Sequence, residues 1–311
     1  MLLKKEAKTI KKSENFPSGV SCVCGLDDGR LAIGGHSLVI YNMKSYKIDI
    51  YIDHSSDIII PLKGNLLFYY CMGFSSEGPW IDEDVYFHLI EFSKNDYVDK
   101  TNILPNNFYY NILYEISDNT LLVGRYYNQQ NNNLRDRIVK LVKKEEKYEE
   151  SMDLKAEGLI NFIILKNNIF AVLRNNVKNV LCFYEINSFK CVKDQFFSPE
   201  INIISTLDEK YMLIGSNKEI IIYDYINYKS NKQIKCTYFL NKIYINNNKV
   251  FICESDGSKN KIIEYEFDND GNYKKIYTYL NPQKILKDLT LTKDGRLITC
   301  SEQSVKIWYD K

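Results

Sequence analysis

Histidine and tryptophan are scarce in this chain of 311 residues: three of the first and two of the second. Acid–base and nucleophilic catalysis draw on converging groups with tuned pKa values, and histidine is the commonest of these. His36 falls in the hairpin turn of "GGHS" and reads as solvated. His88 lies in "VYFHLIEF", alternating with apolar neighbours, and reads as strand packing. No GxSxG elbow, HExxH helix, P-loop or GxGxxG ahead of a helix occurs. "GRYYNQQNNN" lacks a glycine pattern able to cradle phosphate. The expectation is a protein that is not an enzyme and carries no cofactor.

Long apolar runs are missing too. None approaches the roughly 20 residues of a membrane span, and "MLLKKEAKTIKK" meets its charges after two leucines, which excludes the apolar core of a secretory signal. The eight cysteines (22, 24, 71, 182, 191, 236, 253 and 300) form no CxxC pair. In a chain without a signal they read as reduced, buried thiols, and their spacing fits no zinc site, so no metal is expected. Net charge is absent: 41 Lys+Arg against 40 Asp+Glu leave +1, no field to draw in nucleic acid or an anionic membrane. The protein is expected inside the cell, in the cytoplasm ahead of the nucleus.

Aromatics are plentiful, with 25 Tyr and 15 Phe, and such residues favour strands. They recur in a template: apolar strand, tight polar turn, apolar strand, loop, then a strand ending in an aromatic. "VSCVCGLDDGRLAIGGHSLVIYNM" is one copy and "LKDLTLTKDGRLITCSEQSVKIWYD" the last. Turn residues Gly29, Gly64, Asn119, Asn168, Lys210, Asn248 and Gly295 mark seven copies, and their six intervals average about 44 residues, the length of a four-stranded propeller blade. Glycine and asparagine suit hairpin turns that need positive φ. More polar stretches between copies, such as "KIDIYI", "YVDKTNI", "CVKDQFF" and "KKIYTYL", read as outer strands. The last copy stops one strand short, while "EAKTIKKSE" precedes the first with no blade of its own. Residues 6–14 are therefore expected beside Val305–Asp310, closing the ring and removing its free edges.

On these residues the chain resembles the WD-repeat β-propeller family. "DGRLITCSEQSVKIW" and "DGRLAIGGHSLVIY" follow that family's second and third strands, and "IDHSSDIIIPLKGNLL" places His54 at its loop histidine. The resemblance implies a structural His54, a buried donor tying its loop to the blade. No Trp-Asp dipeptide occurs; Trp308-Tyr309-Asp310 comes nearest, and Tyr41, Phe92, Tyr184, Tyr223 and Tyr265 take the tryptophan position. The family's His–Ser–Trp–Asp network is complete in no blade. The expected fold is all-β: one domain over residues 1–311, a seven-bladed propeller of four-stranded antiparallel blades closed by the N-terminal strand.

Two loops between second and third strands are long, and they belong to neighbouring blades: "GFSSEGPWIDED" and "RYYNQQNNNLRD". Long loops without structure of their own are often functional. The first offers Phe74 and Trp80 with Asp82 and Glu83; the second offers Arg125, Tyr126, Tyr127 and Arg135. Trp, Tyr and Arg are enriched at interface hot spots. Against this stand the readings of a low-complexity insertion and of two loops that pair with each other. "KLVKKEEKYEE", with mixed charges, reads as a solvated turn from third to fourth strand.

The resemblance implies a scaffold or adaptor that binds peptides or domains of other proteins on its rim loops and central entrance. It would be monomeric by itself and act as a subunit of a larger complex, without nucleic acid or a transmembrane segment. The alternative is a propeller recruited to membranes by phosphoinositides, whose relatives carry adjacent arginines in an FRRG-like motif absent here.

Overall fold

The computed structural model describes residues 6–10, 17–72, 85–105, 110–125, 136–175, 179–197, 200–258, 260–281 and 286–308. They form seven four-stranded antiparallel sheets. Strand β1 is Glu6–Ile10. Blade 1 comprises β2 (Cys22–Gly25), β3 (Leu31–Gly34), β4 (Leu38–Asn42) and β5 (Lys47–Ile52). Blade 2 comprises β6 (Ile58–Leu62), β7 (Leu66–Met72), β8 (Val85–Phe92) and β9 (Tyr97–Asp99), followed by a 3-10 turn at Thr101–Ile103. Blade 3 is β10 (Tyr110–Ser117), β11 (Thr120–Arg125), β12 (Arg137–Lys144) and β13 (Lys147–Lys155); blade 4 is β14 (Leu159–Ile164), β15 (Ile169–Asn175), β16 (Asn179–Glu185) and β17 (Cys191–Phe196). Blade 5 is β18 (Ile201–Thr206), β19 (Tyr211–Ser216), β20 (Glu219–Asp224) and β21 (Lys229–Lys235); blade 6 is β22 (Phe239–Asn246), β23 (Lys249–Ser255), β24 (Asn260–Phe267) and β25 (Tyr273–Asn281). Blade 7 is β26 (Asp288–Leu291), β27 (Leu297–Ser301) and β28 (Ser304–Trp308), completed by β1.

The strand period of two decides how the blades stack. In β15, Phe170 and Val172 pack with Leu122 and Ile138 of blade 3, whereas Ala171 and Leu173 pack with Ile204 and Ile214 of blade 5. Middle strands thus bury both faces, which is why they read as continuous apolar runs. Each fully buried large side chain contributes roughly 1.5–3 kcal/mol. Seven such clusters join blades 1–2, 2–3, 3–4, 4–5, 5–6, 6–7 and 7–1, so the seven sheets close into a ring. Outer strands carry the polar residues; in β17 every side chain is exposed or half-buried.

The seam lies where the sequence places it. Strand β1 pairs with β28 as Glu6↔Trp308, Lys8↔Ile307, Thr9↔Lys306 and Ile10↔Val305. Ile10 is buried against Val305 and Ile307 and reaches the blade 1 residue Val39. Residues 11–14 and 309–310, also expected in this strand pair, lie outside the described residues. On the inner side, Val20 N–H donates to the Glu302 carbonyl at 3.2 Å and Gly25 N–H to Thr290 Oγ1 at 3.1 Å. A Cβ at Gly25 would sit 2.2 Å from the Leu291 carbonyl oxygen, so only glycine allows β2 to come this close to β26.

The positive φ expected of the Gly and Asn marker turns is corrected in two places. Gly29, Gly64, Asn168 and Gly295 hold it as expected, but Asn119 and Asn248 do not. Asn247 takes the left-handed place in blade 6. At Lys210, the Asp208 carboxylate accepts from the N–H groups of Lys210 and Tyr211 at 2.7 and 2.6 Å, closing the turn with a side chain. At Asn119 the ladder shifts register between Glu115 and Ser117.

Candidate partner-binding face

A ring of antiparallel blades has two unlike faces. One carries the short turns joining first to second and third to fourth strands. The other, here termed the loop face, carries the connections from second to third strands and from each fourth strand into the next inner strand. Among the described residues, five of the nine exposed large apolar side chains stand at strand ends on the loop face: Tyr51, Ile58, Phe196, Phe239 and Leu280. Val192, Ile226 and Tyr273 lie at the opposite face and Val98 within β9. Scattered exposed apolar residues are ordinary; a bias to one face marks it as the stickier surface.

A buried and a half-buried carboxylate fix connections on this face. Glu254, 2% exposed, accepts from Thr237 N–H at 2.9 Å and Tyr238 N–H at 3.1 Å, anchoring the segment that leads into β22. Asp136 does the same for the segment into β14, accepting from Gly158 N–H at 3.0 Å and Leu159 N–H at 3.2 Å. Burial raises the Asp136 pKa, and the two N–H donors pull it back only in part. Between blades 1 and 2, Ser56 N–H donates to the Gly35 carbonyl and Ser21 Oγ donates to the Ser56 carbonyl.

On blades 5 and 6 this scaffolding presents aromatic rings under lysines. Phe239, 54% exposed, lies beneath Lys218 Nζ at 4.9 Å from its centroid. Tyr238 lies beneath Lys261 Nζ at 5.8 Å, and that ammonium also meets Glu254 at 3.7 Å and Thr237 Oγ1 at 3.3 Å. One backbone bond stitches the blades here, Leu240 N–H to the Asn217 carbonyl, while Cys236 N–H to the Lys218 carbonyl extends the β20–β21 ladder of blade 5 up to the same turn. Further down the channel wall, Asp288 is paired with Lys242 Nζ and accepts from Val23 N–H at 3.1 Å, so one carboxylate links blades 6, 7 and 1.

The histidines divide differently from expectation. His36 is exposed, as expected. His54 ties its loop to β7 through Nδ1 and the Tyr69 hydroxyl at 3.1 Å, but it is exposed rather than buried. Its ring stacks on His88 at 4.6 Å, His88 stacks on Tyr69 at 5.0 Å, and His88 Nδ1 lies 3.9 Å from Asp99. Burial first, then neighbouring His54, lowers the His88 pKa, against the pull of Asp99. Among the described residues no group of three or more His, Cys, Asp or Glu is placed to hold a metal ion.

The sequence-predicted site maps onto this face only by connectivity. Met72 ends β7 and Val85 begins β8; Arg125 ends β11 and Arg137 begins β12. Both long loops thus join second to third strands of adjacent blades, as expected. Phe74, Trp80, Asp82, Glu83, Tyr126, Tyr127 and Arg135 lie outside the described residues, as does the side chain of Arg125, whose backbone pairs with Tyr110 and Arg137. Phe239, Tyr238, Lys218 and Lys261 were missed. Only "KCTYFLNKIYIN" carries a sign of them: an aromatic pair where a fourth strand hands over to an inner one.

Third-strand aromatics confirm the repeat pattern. Tyr41, Phe92, Tyr184, Tyr223 and Tyr265 are all buried, and at four of them the pairing with the outer strand shifts register. Trp308 Nε1 donates to Thr299 Oγ1 at 2.9 Å.

No family model and no curated protein matches the chain. Solved structures do. The WD40 β-propeller domain of Doa1 superimposes with a TM-score of 0.68 at 13% identity, covering 99% of this chain and 97% of that one. A structure of the mitotic checkpoint complex contains a chain with a TM-score of 0.70 at 10% identity, covering 99% and 95%. The fold is that of a WD40 β-propeller, with seven blades. Among the described residues no helix is long and apolar enough to cross a membrane.

Proposed function

We propose that this protein is a non-catalytic docking platform whose loop face binds peptides or domains of partner proteins. The observation that carries the reading is the bias of exposed apolar side chains, among the described residues, to that face, set on connections that carboxylates and backbone bonds hold in place. Rigid presentation cuts the ordering cost of binding. One of the two similar structures is named as a complex, which agrees with a propeller acting as a subunit. Phe74, Trp80, Asp82, Glu83, Arg125, Tyr126, Tyr127 and Arg135 belong to the proposal as the part of that surface on blades 2 and 3. The propeller itself is monomeric in this reading, and its partners are proteins inside the cell.

A photo-crosslinking amino acid placed in turn at Tyr51, Phe196, Glu209 and Asn248 tests the choice of face. Tyr51 and Phe196 should yield protein adducts in the native cell, while Glu209 and Asn248, on the turn face, should not. Adducts from both faces alike would overturn the reading. In pull-downs, Trp80→Ala and Arg125→Ala should weaken partner capture while leaving the melting temperature almost unchanged. Flotation of the pure protein with phosphoinositide liposomes would replace the platform with a membrane-recruited propeller.

A further inference from the structure

The notch between blades 5 and 6 has a chemistry of its own. Phe239 opens inner strand β22, and its ring is half covered by Lys218 from the second-to-third strand turn of blade 5. Among the described residues no carboxylate stands within ion-pair distance of the Lys218 ammonium. Across blade 6 the ladder brings Leu240, Glu254, Lys261 and Leu280 into one row. Glu254 is spent internally on Thr237 N–H, Tyr238 N–H and Lys261, so its charge is not offered outward. Phe239 at 54% and Leu280 at 57% are among the most exposed apolar side chains described. Among the described residues the notch is thus an exposed ring with an unmatched cation over it, while Leu280 stands three strands away on the outer edge of blade 6.

We infer that this notch binds a short linear peptide bearing an acidic residue next to an aliphatic or aromatic one. The inference rests on the docking-platform reading and deepens it by naming a place and a partner chemistry. The carboxylate would meet Lys218, a compact ammonium already leaning over a ring, where cation–π attraction restricts its motion and lowers the cost of fixing it. The apolar neighbour would cover the open face of Phe239, removing both from water. Charge complementarity selects this occupant over its rivals. A nucleic acid or an anionic membrane needs several cations acting together, and the chain carries a net charge of only +1.

A phage-displayed library of random peptides about a dozen residues long, panned on the pure full-length protein, is the probe. Enriched peptides should share an Asp or Glu beside an apolar residue. Their capture should fall about tenfold or more with Phe239→Ala or Lys218→Glu. Phe239→Tyr and Lys218→Arg should retain capture, and all four variants should melt like the parent. Enriched peptides without acidic residues would overturn the inference, as would equal capture by Lys218→Glu, no enrichment at all, or a labelled single-stranded oligonucleotide binding through Phe239. Peptides that ignore Phe239 and Lys218 but are lost with Phe196→Ala or Tyr51→Ala would remove the notch and leave the platform standing. Adducts from both faces in the crosslinking experiment remove the platform itself.

Discussion

Tyr228 packs edge-on against Phe183, ring centroids 5.2 Å apart, while holding a φ of +52°. The pair spans two blades: Phe183 in β16 of blade 4, Tyr228 in the turn between β20 and β21 of blade 5. The same left-handed place is taken by Tyr46 in blade 1, at φ +57°, and by Phe189 in blade 4, at φ +53°. Each packs on the cluster shared with the preceding blade. Blade 6 uses Gly271 there, at φ +69°. An L-residue in this region costs roughly 1–2 kcal/mol. Burying much of an aromatic ring offsets that, which is why a turn suited to glycine can hold a tyrosine.

Replacing this ring should separate packing from strain. Tyr228→Ala loses the contact and keeps the unfavourable backbone; Tyr228→Gly loses the contact alone. Chemical denaturation should find both destabilised, the alanine variant by about 1 kcal/mol more than the glycine variant. The reverse order would mean that the backbone at this turn is unstrained.

The seam should be the ring's weak line. Ile10→Ala, at a buried site facing Val305 and Ile307, should cost about 2–4 kcal/mol. Hydrogen exchange should quicken at Val305, Lys306 and Ile307 well before it does in β15 of blade 4, on the other side of the ring. Uniform quickening around the ring would show that closure is not localised there.

Asp288 should matter more than its lysine. Asp288→Ala removes the acceptor of both Lys242 and Val23 N–H and strips blades 6, 7 and 1 of a shared tie. The Lys242 side chain is 44% exposed, so solvent screens the ion pair and the loss should be about 1–2 kcal/mol. Lys242→Met should cost less, because Asp288 keeps the Val23 bond. Equal losses would reduce Asp288 to a simple ion-pair partner.

Stability should fall in mild acid because of His88. Its pKa is lowered in the fold, so the unfolded chain binds the proton more tightly. That contribution is complete above the unfolded value of about 6.5 and drains away as pH falls through it toward the native value. The groups facing the ring are His54, Tyr69 and Asp99. Melting temperatures recorded from pH 8 to pH 5 should decline for the parent and decline less for His88→Asn. Parallel curves would sink the assignment.

The architecture was legible in the sequence because its signals are local and repeated. Two-residue periodicity, a turn every forty-odd residues and an incomplete last copy need no knowledge of distant contacts. What stayed hidden depends on placement in space. Nothing in "YINYK" says that Tyr228 rather than a glycine takes the left-handed position, since the compensation comes from Phe183 in another blade. His54 was assigned to its role from the family likeness, yet its exposure follows from how the blade 1–2 connection lies. Nothing in "KCTYFLNKIYIN" separates Phe239 from strand core; only register, pairing it with Ser255 at the rim, leaves its ring in solvent. Of the candidate site, the sequence shows only the connectivity of the two long loops, and it does not single out Phe239, Lys218, Tyr238 or Lys261.

Strand β1 meets β28 only after all seven blades have been made. On the ribosome, blades 1 to 6 can stack as they emerge, yet β1 and the inner side of blade 1 must wait for the last hairpin. Until then two apolar sheet faces and an unpaired strand stay open to other chains. A delay in translating the last blade therefore prolongs the one stage at which this ring is prone to swap or aggregate.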